Sequence, residues 1–527
     1  MPDPILLRIM QGAMVHFNAG RLPQAEGLFR QVLRDEPTHP GALHLTGVIA
    51  QRGGRYLDAY NFMSKSVAGK PDNAGWYLNL GNVCLAVRKP EEAIAAFLRA
   101  GELGADDPRL EWLLGISYAE GRQFAAALPH IQRAIELAPN DPTPHSSMGV
   151  IAAHMHGPDA AIPYFQRATD LAPKEAKFPA MLAKALHDCG RTLESRAAYE
   201  EAFRRDPNFT PAKLNYAIVL LQLGDMPAGW DAIDARPAVA VELPKAKYKR
   251  PLWEGAAASG ATILLRAEQG FGDVIQFIRY APLVAGRGLR INVECHRELK
   301  RLIQRVPSIE RVYAGGGEPL PDCQFHQLIM SLPKVFRTTV NTIPADVPYL
   351  SVDTATRDTW AKRLGPPTGK TRVGLAWAGR PTHGNDANRS MSLADLAPLA
   401  AIPHVEFYQL QLGPAAKQAA TADFPLIDLT SHLTDFYETA ALVSHLDLVI
   451  GVDTAIVHLA GALAKPVWTL LPFVAEWRWL EKRTDSPWYP TMRLFRQPKA
   501  GDWPAVVAAV GGALAALKAG WTGALDW

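Results

Sequence analysis

One spacing constrains the N-terminal half of the chain more than any other feature. Alanine recurs at intervals of 34 residues, at Ala25, Ala59, Ala93, Ala127 and Ala161. A fixed period of this size is typical of repeat proteins, in which each unit is too small to bury its own apolar face and stacks on its neighbours. The spacing therefore predicts an α-solenoid over residues 1–235.

Glycines keep the same phase, and large apolar residues follow the alanines by four positions. These landmarks are Gly47, Gly81, Gly115 and Gly149, together with Phe29, Met63, Phe97, Ile131 and Phe165. Small residues let two helices approach closely, and we expect the large side chain to fill the space beside them. The pattern resembles the tetratricopeptide repeat family. That resemblance implies a concave groove that binds a segment of another protein, the alternatives being a spacer or a self-association surface.

Asparagine stands at only some of the equivalent repeat positions that would face such a groove. In protein O-GlcNAc transferases, which carry these repeats, inner-face asparagines recur and hold a peptide backbone. The same phase here contains Asn79 and Asn215 but Leu45 and Leu113 elsewhere. The resemblance makes Asn79 and Asn215 candidate contacts to a protein partner, and the otherwise apolar groove favours one defined partner.

The period of the sequence changes after a proline-containing linker, which we predict at residues 236–260. From Ala261 onward, short apolar runs alternate with helical patterns, as in parallel α/β sheets. The predicted strands are ATILLRA and RINVEC, further short strands to about Leu350, and then TRVGLAWAG, VEFYQLQ, LIDLT, DLVIGVD and PVWTLLP. The segment LGPPTGK, residues 364–370, then interrupts this alternation. We predict two doubly wound lobes, residues 261–365 and 366–527, with a ligand site in the cleft where they meet.

Two strand-to-helix turns carry the candidate chemistry. In GFGDVIQ, Gly272 permits close backbone approach, and Asp273 is either a helix cap or a general base that faces the cleft. In GVDTAIVHL, Asp453 or Thr454 caps a helix whose first N–H groups favour an anion such as phosphate. His458 lies one turn further along the same face, where a core-facing histidine is the alternative.

The pairing of these two turns resembles the heptosyltransferase-like GT-B glycosyltransferases. Their first motif is GDV followed by an apolar residue and usually His, and their second is VDTxxxHLA. Gln276 stands at the position of that histidine, so the resemblance makes it a candidate acceptor contact. Repeats followed by such lobes resemble bacterial tetratricopeptide-repeat glycosyltransferases, including those that glycosylate flagellin. The implied fold is a solenoid followed by two Rossmann-like lobes, the acceptor lobe first and the nucleotide-sugar lobe second.

The resemblance also implies roles for individual residues. Asp273 matches the catalytic base, and the implied donor-binding set is Gly272, Arg389, Gln411, Asp453, Thr454 and His458. Arg389 would face the pyrophosphate, because a guanidinium pairs with two phosphate oxygens; a surface arginine is the alternative. Gln411 would contact the nucleobase, and simple loop polarity is the alternative.

The implied reaction needs no metal or other cofactor, since no Asp-x-Asp triplet occurs after Ala261. The helix N-terminus and Arg389 would then meet the charge of the leaving phosphate. Asp273 would deprotonate an acceptor hydroxyl that attacks the anomeric carbon from the opposite face, which inverts its configuration. We expect the aromatic residues of Glu476 to Phe495 to close the seam between the lobes rather than to stack on a sugar.

Composition narrows the function classes. A net charge of +3 argues against nucleic acid as a partner. The chain has no apolar run long enough for a transmembrane helix and no signal-peptide pattern at its start, so we predict a cytoplasmic protein. The favoured function is transfer of a sugar from a nucleotide sugar to Ser or Thr hydroxyls of a protein recruited by the repeats, flagellin among the candidates. A glycolipid or lipopolysaccharide glycosyltransferase and a non-catalytic scaffold remain alternatives, and donors based on ADP-heptose, UDP-hexose and CMP-nonulosonic acid all stay open.

Overall fold

The computed structural model describes residues 4–234, 250–315 and 318–517. Most of the predicted linker, residues 236–260, lies outside the described residues, as does the end of the predicted second lobe. The chain separates into two compact units, which are described in turn. The first comprises Met1–Cys189 and Ala197–Asn208, and the second Gly190–Arg196 and Phe209–Trp527.

The N-terminal part consists of helices, of which α1 to α10 pack in consecutive pairs, α1 against α2, α3 against α4 and so on to α9 against α10. Their bounds are α1 Pro4–Asn18, α2 Leu22–Asp35, α3 Pro40–Arg52, α4 Tyr56–Gly69, α5 Ala74–Ala86, α6 Pro90–Glu102, α7 Leu110–Glu120, α8 Phe124–Leu137, α9 Pro142–His156, α10 Ile162–Leu171, α11 Lys177–Asp188 and α12 Thr192–Arg205. The predicted solenoid of helical pairs is confirmed.

The landmark residues do what their sizes predict. Ala25, Ala59, Ala93, Ala127 and Ala161 are all fully buried. Each landmark glycine lies against the large residue of its own pair. A methyl group added to Gly81 would stand 2.5 Å from the Phe97 ring, and one added to Gly115 would stand 2.4 Å from Ile131. Because real Cβ atoms do not approach neighbours this closely, glycine is what lets the two helices pack at this distance.

The second unit begins with one more helical pair, α13 Thr210–Gln222 and α14 Met226–Ile233. Its apolar face belongs to the same core as the sheets that follow. Trp230 is 1% exposed, its ring meets the edge of the Trp477 ring at 5.3 Å, and its indole N–H donates to the carbonyl oxygen of Thr338. The compact unit that contains the sheets therefore includes helices α13 and α14, as well as Gly190–Arg196, all of which lie within the predicted solenoid of residues 1–235.

The first lobe is built on a four-stranded parallel sheet in the order β3-β2-β1-β4. Its strands are β1 Thr262–Arg266, β2 Arg290–Cys295, β3 Ile309–Ala314 and β4 Phe325–Leu328. Its helices are α15 Phe271–Phe277, α16 Ala281–Ala285, α17 Lys300–Ile303 and α18 Leu332–Val335. Strands β1 and β2 coincide with the apolar runs that predicted them, because a parallel sheet covered on both faces needs apolar residues on both.

The second lobe is a six-stranded parallel sheet in the order β10-β9-β8-β5-β6-β7. Its strands are β5 Thr371–Ala376, β6 Val405–Gln409, β7 Leu426–Ile427, β8 Leu448–Val452, β9 Val467–Leu471 and β10 Met492–Arg496. Helices α19 Thr354–Leu364, α20 Asp386–Arg389, α21 Phe436–Ser444, α22 Ala455–Ala462 and α23 Trp503–Ala515 accompany it. The predicted two-lobed α/β fold is confirmed, and β10 is a strand that the sequence did not predict. Among the helices of the described residues, none combines the length and the apolar character that crossing a membrane requires.

Candidate active site

The strand order of the second sheet marks where a ligand is expected. Strands β5 and β8 are neighbours, and the connections from them lead to opposite edges of the sheet. Open α/β sheets bind ligands at such a switch point, outside the carboxyl ends of the strands. The turn that holds Asp453 and Thr454 follows β8 directly, so it lies at this switch point.

The two predicted turns meet. Helix α15 of the first lobe packs against helix α22 of the second. A methyl group added to Gly272 would stand 3.0 Å from Cδ2 of His458 and 3.6 Å from Cα of Ala455. The structure therefore brings together two segments that lie far apart along the chain, and Gly272 is the residue whose missing side chain permits their approach.

Asp273 lies in the first turn of α15, with 21% of its side chain exposed. Its Oδ1 accepts a hydrogen bond from Nη2 of Arg478, a residue that follows β9 in the second lobe. The carboxylate is thus engaged across the seam between the lobes while part of it remains accessible. A carboxylate in that position can accept a proton from a hydroxyl bound beside it.

The donor-side residues also converge. Nη1 of Arg389 donates to the backbone oxygen of Asp453 across 3.1 Å, and the Arg389 side chain is 18% exposed. Oγ1 of Thr454 is buried and has no hydrogen-bond partner among the described residues. Thr454 directly precedes α22, whose first N–H groups have no partners within the helix itself. A guanidinium, a hydroxyl and a helix N-terminus gathered at one turn can bind an anion.

His458 is a buried histidine at this seam, 4% exposed. Its Nδ1 lies 3.0 Å from the Tyr489 hydroxyl, its ring stacks on Trp479, and its Nε2 is 3.8 Å from Oδ1 of Asp453. Burial holds the pKa of His458 well below its ordinary value, so the ring is neutral near pH 7. The contacts of His458 are those of the core-facing alternative, and its predicted contact to a donor stays a prediction.

The two predicted amide contacts lie on buried side chains that bond other groups of the protein. Gln276 is fully buried, and its Oε1 accepts from Nε of Arg478, while its Nε2 is buried with no hydrogen-bond partner among the described residues. Gln411 is 5% exposed; its Oε1 accepts from the backbone N–H groups of Trp377 and Ala378, and its Nε2 donates to Leu412. Its polar atoms thus hold the loop after β5. The predicted contacts of Gln276 to an acceptor and of Gln411 to a nucleobase stay predictions.

Two charged residues at the seam were not predicted. Arg478 is 8% exposed, and its guanidinium bonds Asp273, Gln276 and Glu476. Burial raises the pKa of Glu476 to about 7, against the opposing effect of Arg478, although a third of its side chain remains exposed. The only sequence signal was the alternation of charge and aromatic residues in Glu476-Trp477-Arg478-Trp479.

The aromatic residues of that segment are packing residues, as predicted. Trp477 is 3% exposed, and Trp479, Trp488 and Tyr489 are fully buried. Trp477 contacts Trp230 and Phe277, which ties the segment after β9 to helices α14 and α15. These contacts fix the backbone that carries Glu476 and Arg478.

The candidate asparagines of the solenoid lie in different units. Nδ2 of Asn79, on α5, is 3.2 Å from Nε2 of His44, and His44 stacks on Trp76 with ring centroids 4.6 Å apart. Asn215 lies on α13, in the unit that contains the sheets. Their predicted contacts to a protein stay predictions.

The described residues contain no group of three or more His, Cys, Asp or Glu side chains arranged to hold a metal ion. The residues brought together at the seam are instead carboxylates paired with guanidinium groups. That the reaction proceeds without a metal or cofactor stays a prediction.

Family models match the chain in two regions. Tetratricopeptide repeat models match residues 11–74, 78–142, 112–176 and 180–237. The model of glycosyltransferase family 9 (heptosyltransferase) matches residues 415–473, which include β8, the Asp453–Thr454 turn and α22. The chain is therefore similar to tetratricopeptide repeat proteins over its N-terminal helices and to family 9 glycosyltransferases over this segment of its second lobe.

The chain is also similar to individual proteins. Protein FlbA of Caulobacter vibrioides is 27% identical over an alignment of 375 residues that covers 63% of this chain and 58% of FlbA. The chain thus spans less than two thirds of the length of that relative. Among solved structures, a tetratricopeptide repeat protein from Parabacteroides merdae is 13% identical with a TM-score of 0.40, over 45% of this chain and 94% of its own. MamA from Desulfovibrio magneticus RS-1 is 19% identical with a TM-score of 0.30, over 32% of this chain and 97% of its own.

Proposed function

We propose that the protein transfers a sugar from a nucleotide sugar to Ser or Thr hydroxyls of a protein that the repeats bind. One observation carries the proposal: α15, which holds Asp273, packs across the seam against α22, which follows the turn of Asp453 and Thr454. Arg389 bonds the backbone of the same turn. A base from one lobe and an anion-binding turn from the other are the two parts that sugar transfer from a nucleotide sugar requires.

The proposed mechanism is a single displacement. Asp273 takes the proton of the acceptor hydroxyl as its oxygen attacks the anomeric carbon. The bond from that carbon to the phosphate oxygen breaks on the opposite face, so the anomeric configuration inverts. Arg389 and the N–H groups at the start of α22 stabilise the negative charge that the leaving nucleotide gains. On this proposal the reaction needs no metal ion.

The repeats supply the acceptor. Tetratricopeptide grooves bind segments of other proteins, and stacked repeats present a continuous surface for that purpose. Repeats joined to lobes of this type resemble bacterial enzymes that glycosylate flagellin, which makes flagellin the acceptor to test first. The proposed place of action is the cytoplasm, where a flagellin is available before export.

Two measurements test the proposal. Thermal unfolding of the full chain is followed with ADP-heptose, a UDP-hexose and a CMP-nonulosonic acid. We expect one of these donors to raise the midpoint, because a ligand at 100 times its Kd stabilises the folded state by about 2.7 kcal/mol. Flagellin co-expressed with the chain is then analysed by intact-protein mass, and we expect a gain of one or more sugar masses on Ser or Thr.

The alternatives give different results. Modification of a lipid-linked acceptor without modification of any protein would favour glycolipid assembly. A chain that no nucleotide sugar stabilises, and that leaves flagellin at its unmodified mass, would be a scaffold rather than a transferase.

A further inference from the structure

The guanidinium of Arg478 joins Asp273, the proposed base in the first lobe, to the segment that follows β9 in the second lobe. It makes three hydrogen bonds in three directions, from Nη2 to Asp273, from Nε to Gln276 and from Nη1 to Glu476. Asp273 and Gln276 lie on the same helix, three residues apart and so on the same face. One planar group therefore bonds α15 at two points, in its first turn at Asp273 and one turn further on at Gln276.

From this geometry we infer that Arg478 is a positioning residue that fixes the carboxylate of Asp273 for proton abstraction, and that Gln276 is the second anchor of the same guanidinium. The inference rests on the proposed function, because it assigns a task to Arg478 only if Asp273 is the base. It also gives Gln276 a role inside the site in place of the predicted acceptor contact.

The surroundings of Arg478 prevent it from turning away. Its side chain is 9% exposed, and its guanidinium lies 4.5 Å from the centre of the Trp477 ring and 5.7 Å from that of Phe277. Its backbone N–H donates to Oε2 of Glu476 across 3.0 Å. Gln276, on the far side, is fully buried. Because the guanidinium of Arg478 is planar and bonds buried partners, it fixes both the distance and the orientation of the Asp273 carboxylate.

The arrangement leaves the two oxygens of Asp273 with different surroundings. Oδ1 is bonded to Arg478, whereas Oδ2 lies on the side of Gly270, where an added methyl group would stand 3.5 Å from it. Oδ2 is therefore the oxygen assigned to the acceptor proton. Because one oxygen is fixed, the direction of the other is fixed too, and proton transfer depends strongly on such alignment.

Arg478 could instead contact the phosphate of the donor directly, and kinetic measurements distinguish that role from positioning of Asp273. The experiment uses the purified full chain, flagellin, and whichever of ADP-heptose, the UDP-hexose and the CMP-nonulosonic acid supports transfer. Arg478→Lys keeps the charge but loses the fork, Arg478→Met loses both, and Gln276→Leu removes only the second anchor. For each variant, kcat and the donor KM are measured, together with the stabilisation by ADP, UDP or CMP.

We expect Arg478→Met to lower kcat by roughly 100-fold, the order of loss for a misplaced group, with the donor KM and the nucleotide stabilisation close to those of the unmodified chain. Arg478→Lys should recover part of that loss, and Gln276→Leu should lower kcat less than either. In an Asp273→Asn background, Arg478→Met should cost far less than it does alone, since a residue that acts through Asp273 has nothing left to position.

Three results would overturn the inference while transfer itself stands. One is a raised donor KM with kcat unchanged, which would make Arg478 a donor contact. Another is an equal loss from Arg478→Met with and without Asp273→Asn, which would make its role structural. The third is full kcat in both Arg478→Lys and Gln276→Leu. Absence of any transfer by the unmodified chain would instead overturn the proposed function, and this inference with it.

Discussion

The guanidinium of Arg389 donates to the backbone oxygen of Asp453 across 3.1 Å, which ties the loop after β5 to the turn after β8. The residue thereby stands beside the N-terminus of α22 with 18% of its side chain exposed. A charge held there by the backbone is ready for an anion before the anion arrives, and such preorganisation is what makes electrostatic stabilisation effective.

Replacing Arg389 with leucine should therefore weaken nucleotide binding. Charge-assisted hydrogen bonds contribute about 1.5–3 kcal/mol, so we expect Kd for the productive nucleotide to rise by roughly 10- to 100-fold. Isothermal titration calorimetry on the full chain provides the measurement. Arg363→Leu, which removes an exposed guanidinium from helix α19, is the matched control and should leave Kd unchanged. Equal affinities in both variants would remove Arg389 from the donor site.

A side chain at position 272 should disturb the seam between the lobes. The Cβ of Gly272→Val would stand 3.0 Å from Cδ2 of His458, and the two methyl groups of valine would add further bulk there. Overpacking of this kind typically costs about 1–3 kcal/mol. Gly270→Ala is the control for stability, because its Cβ would meet only Oδ2 of Asp273, at an ordinary 3.5 Å. Thermal unfolding should show a lower midpoint for Gly272→Val than for Gly270→Ala, and equal midpoints would contradict the close approach of α15 and α22.

Glycine in the solenoid should matter only where two helices touch. Gly81→Ala would bring a methyl group 2.5 Å from the Phe97 ring, whereas Gly27 has nothing within 4 Å of its Cβ position. We expect Gly81→Ala to destabilise the chain by about 1–3 kcal/mol. Gly27→Ala, inside helix α2, should instead stabilise it by up to about 1 kcal/mol through helix propensity. Urea unfolding of both variants measures the difference, and opposite signs are the required result.

Acid should destabilise the solenoid through His44. Burial lowers the pKa of His44 to about 4, from an ordinary value of 6.5. Between pH 6.5 and pH 4, His44 is protonated in the unfolded chain but stays neutral in the folded chain. The free energy of unfolding therefore decreases as the pH falls through this range. His44→Phe should remove that dependence, and its free energy of unfolding should fall less than that of the unmodified chain between pH 7 and pH 4.5. Parallel pH dependences in the two proteins would contradict the buried, neutral state of His44.

The sequence was most informative where a local pattern has one physical cause. The 34-residue period predicted the helical pairs, because a glycine on one helix faces a large apolar residue on the other wherever the two helices of a pair touch. Apolar runs predicted β1, β2, β5, β8 and β9 for the same kind of reason, since both faces of each strand are covered. The two turns were found through residues with specific backbone tasks, such as Gly272.

Sequence reasoning failed where partners are distant. Arg478 bonds Asp273 across 205 positions, and no periodicity links them. The aromatic neighbours of Arg478 predicted a packed seam correctly but gave no sign that a guanidinium passes through it. For Gln411, the sequence shows only a polar residue at a strand end, and it does not show that the side chain bonds the loop after β5.

Substitution of Asp273 by asparagine tests the central claim most directly, because it removes the proton acceptor while keeping the shape of the side chain. The matched control is Asp346→Asn, an exposed carboxylate of the same lobe. Intact-protein mass of flagellin, co-expressed with each variant, should show sugar addition reduced by at least about 100-fold for Asp273→Asn and unchanged for Asp346→Asn, with nucleotide stabilisation retained by both. Flagellin that gains its full sugar mass with Asp273→Asn would contradict the assignment of Asp273 as the base.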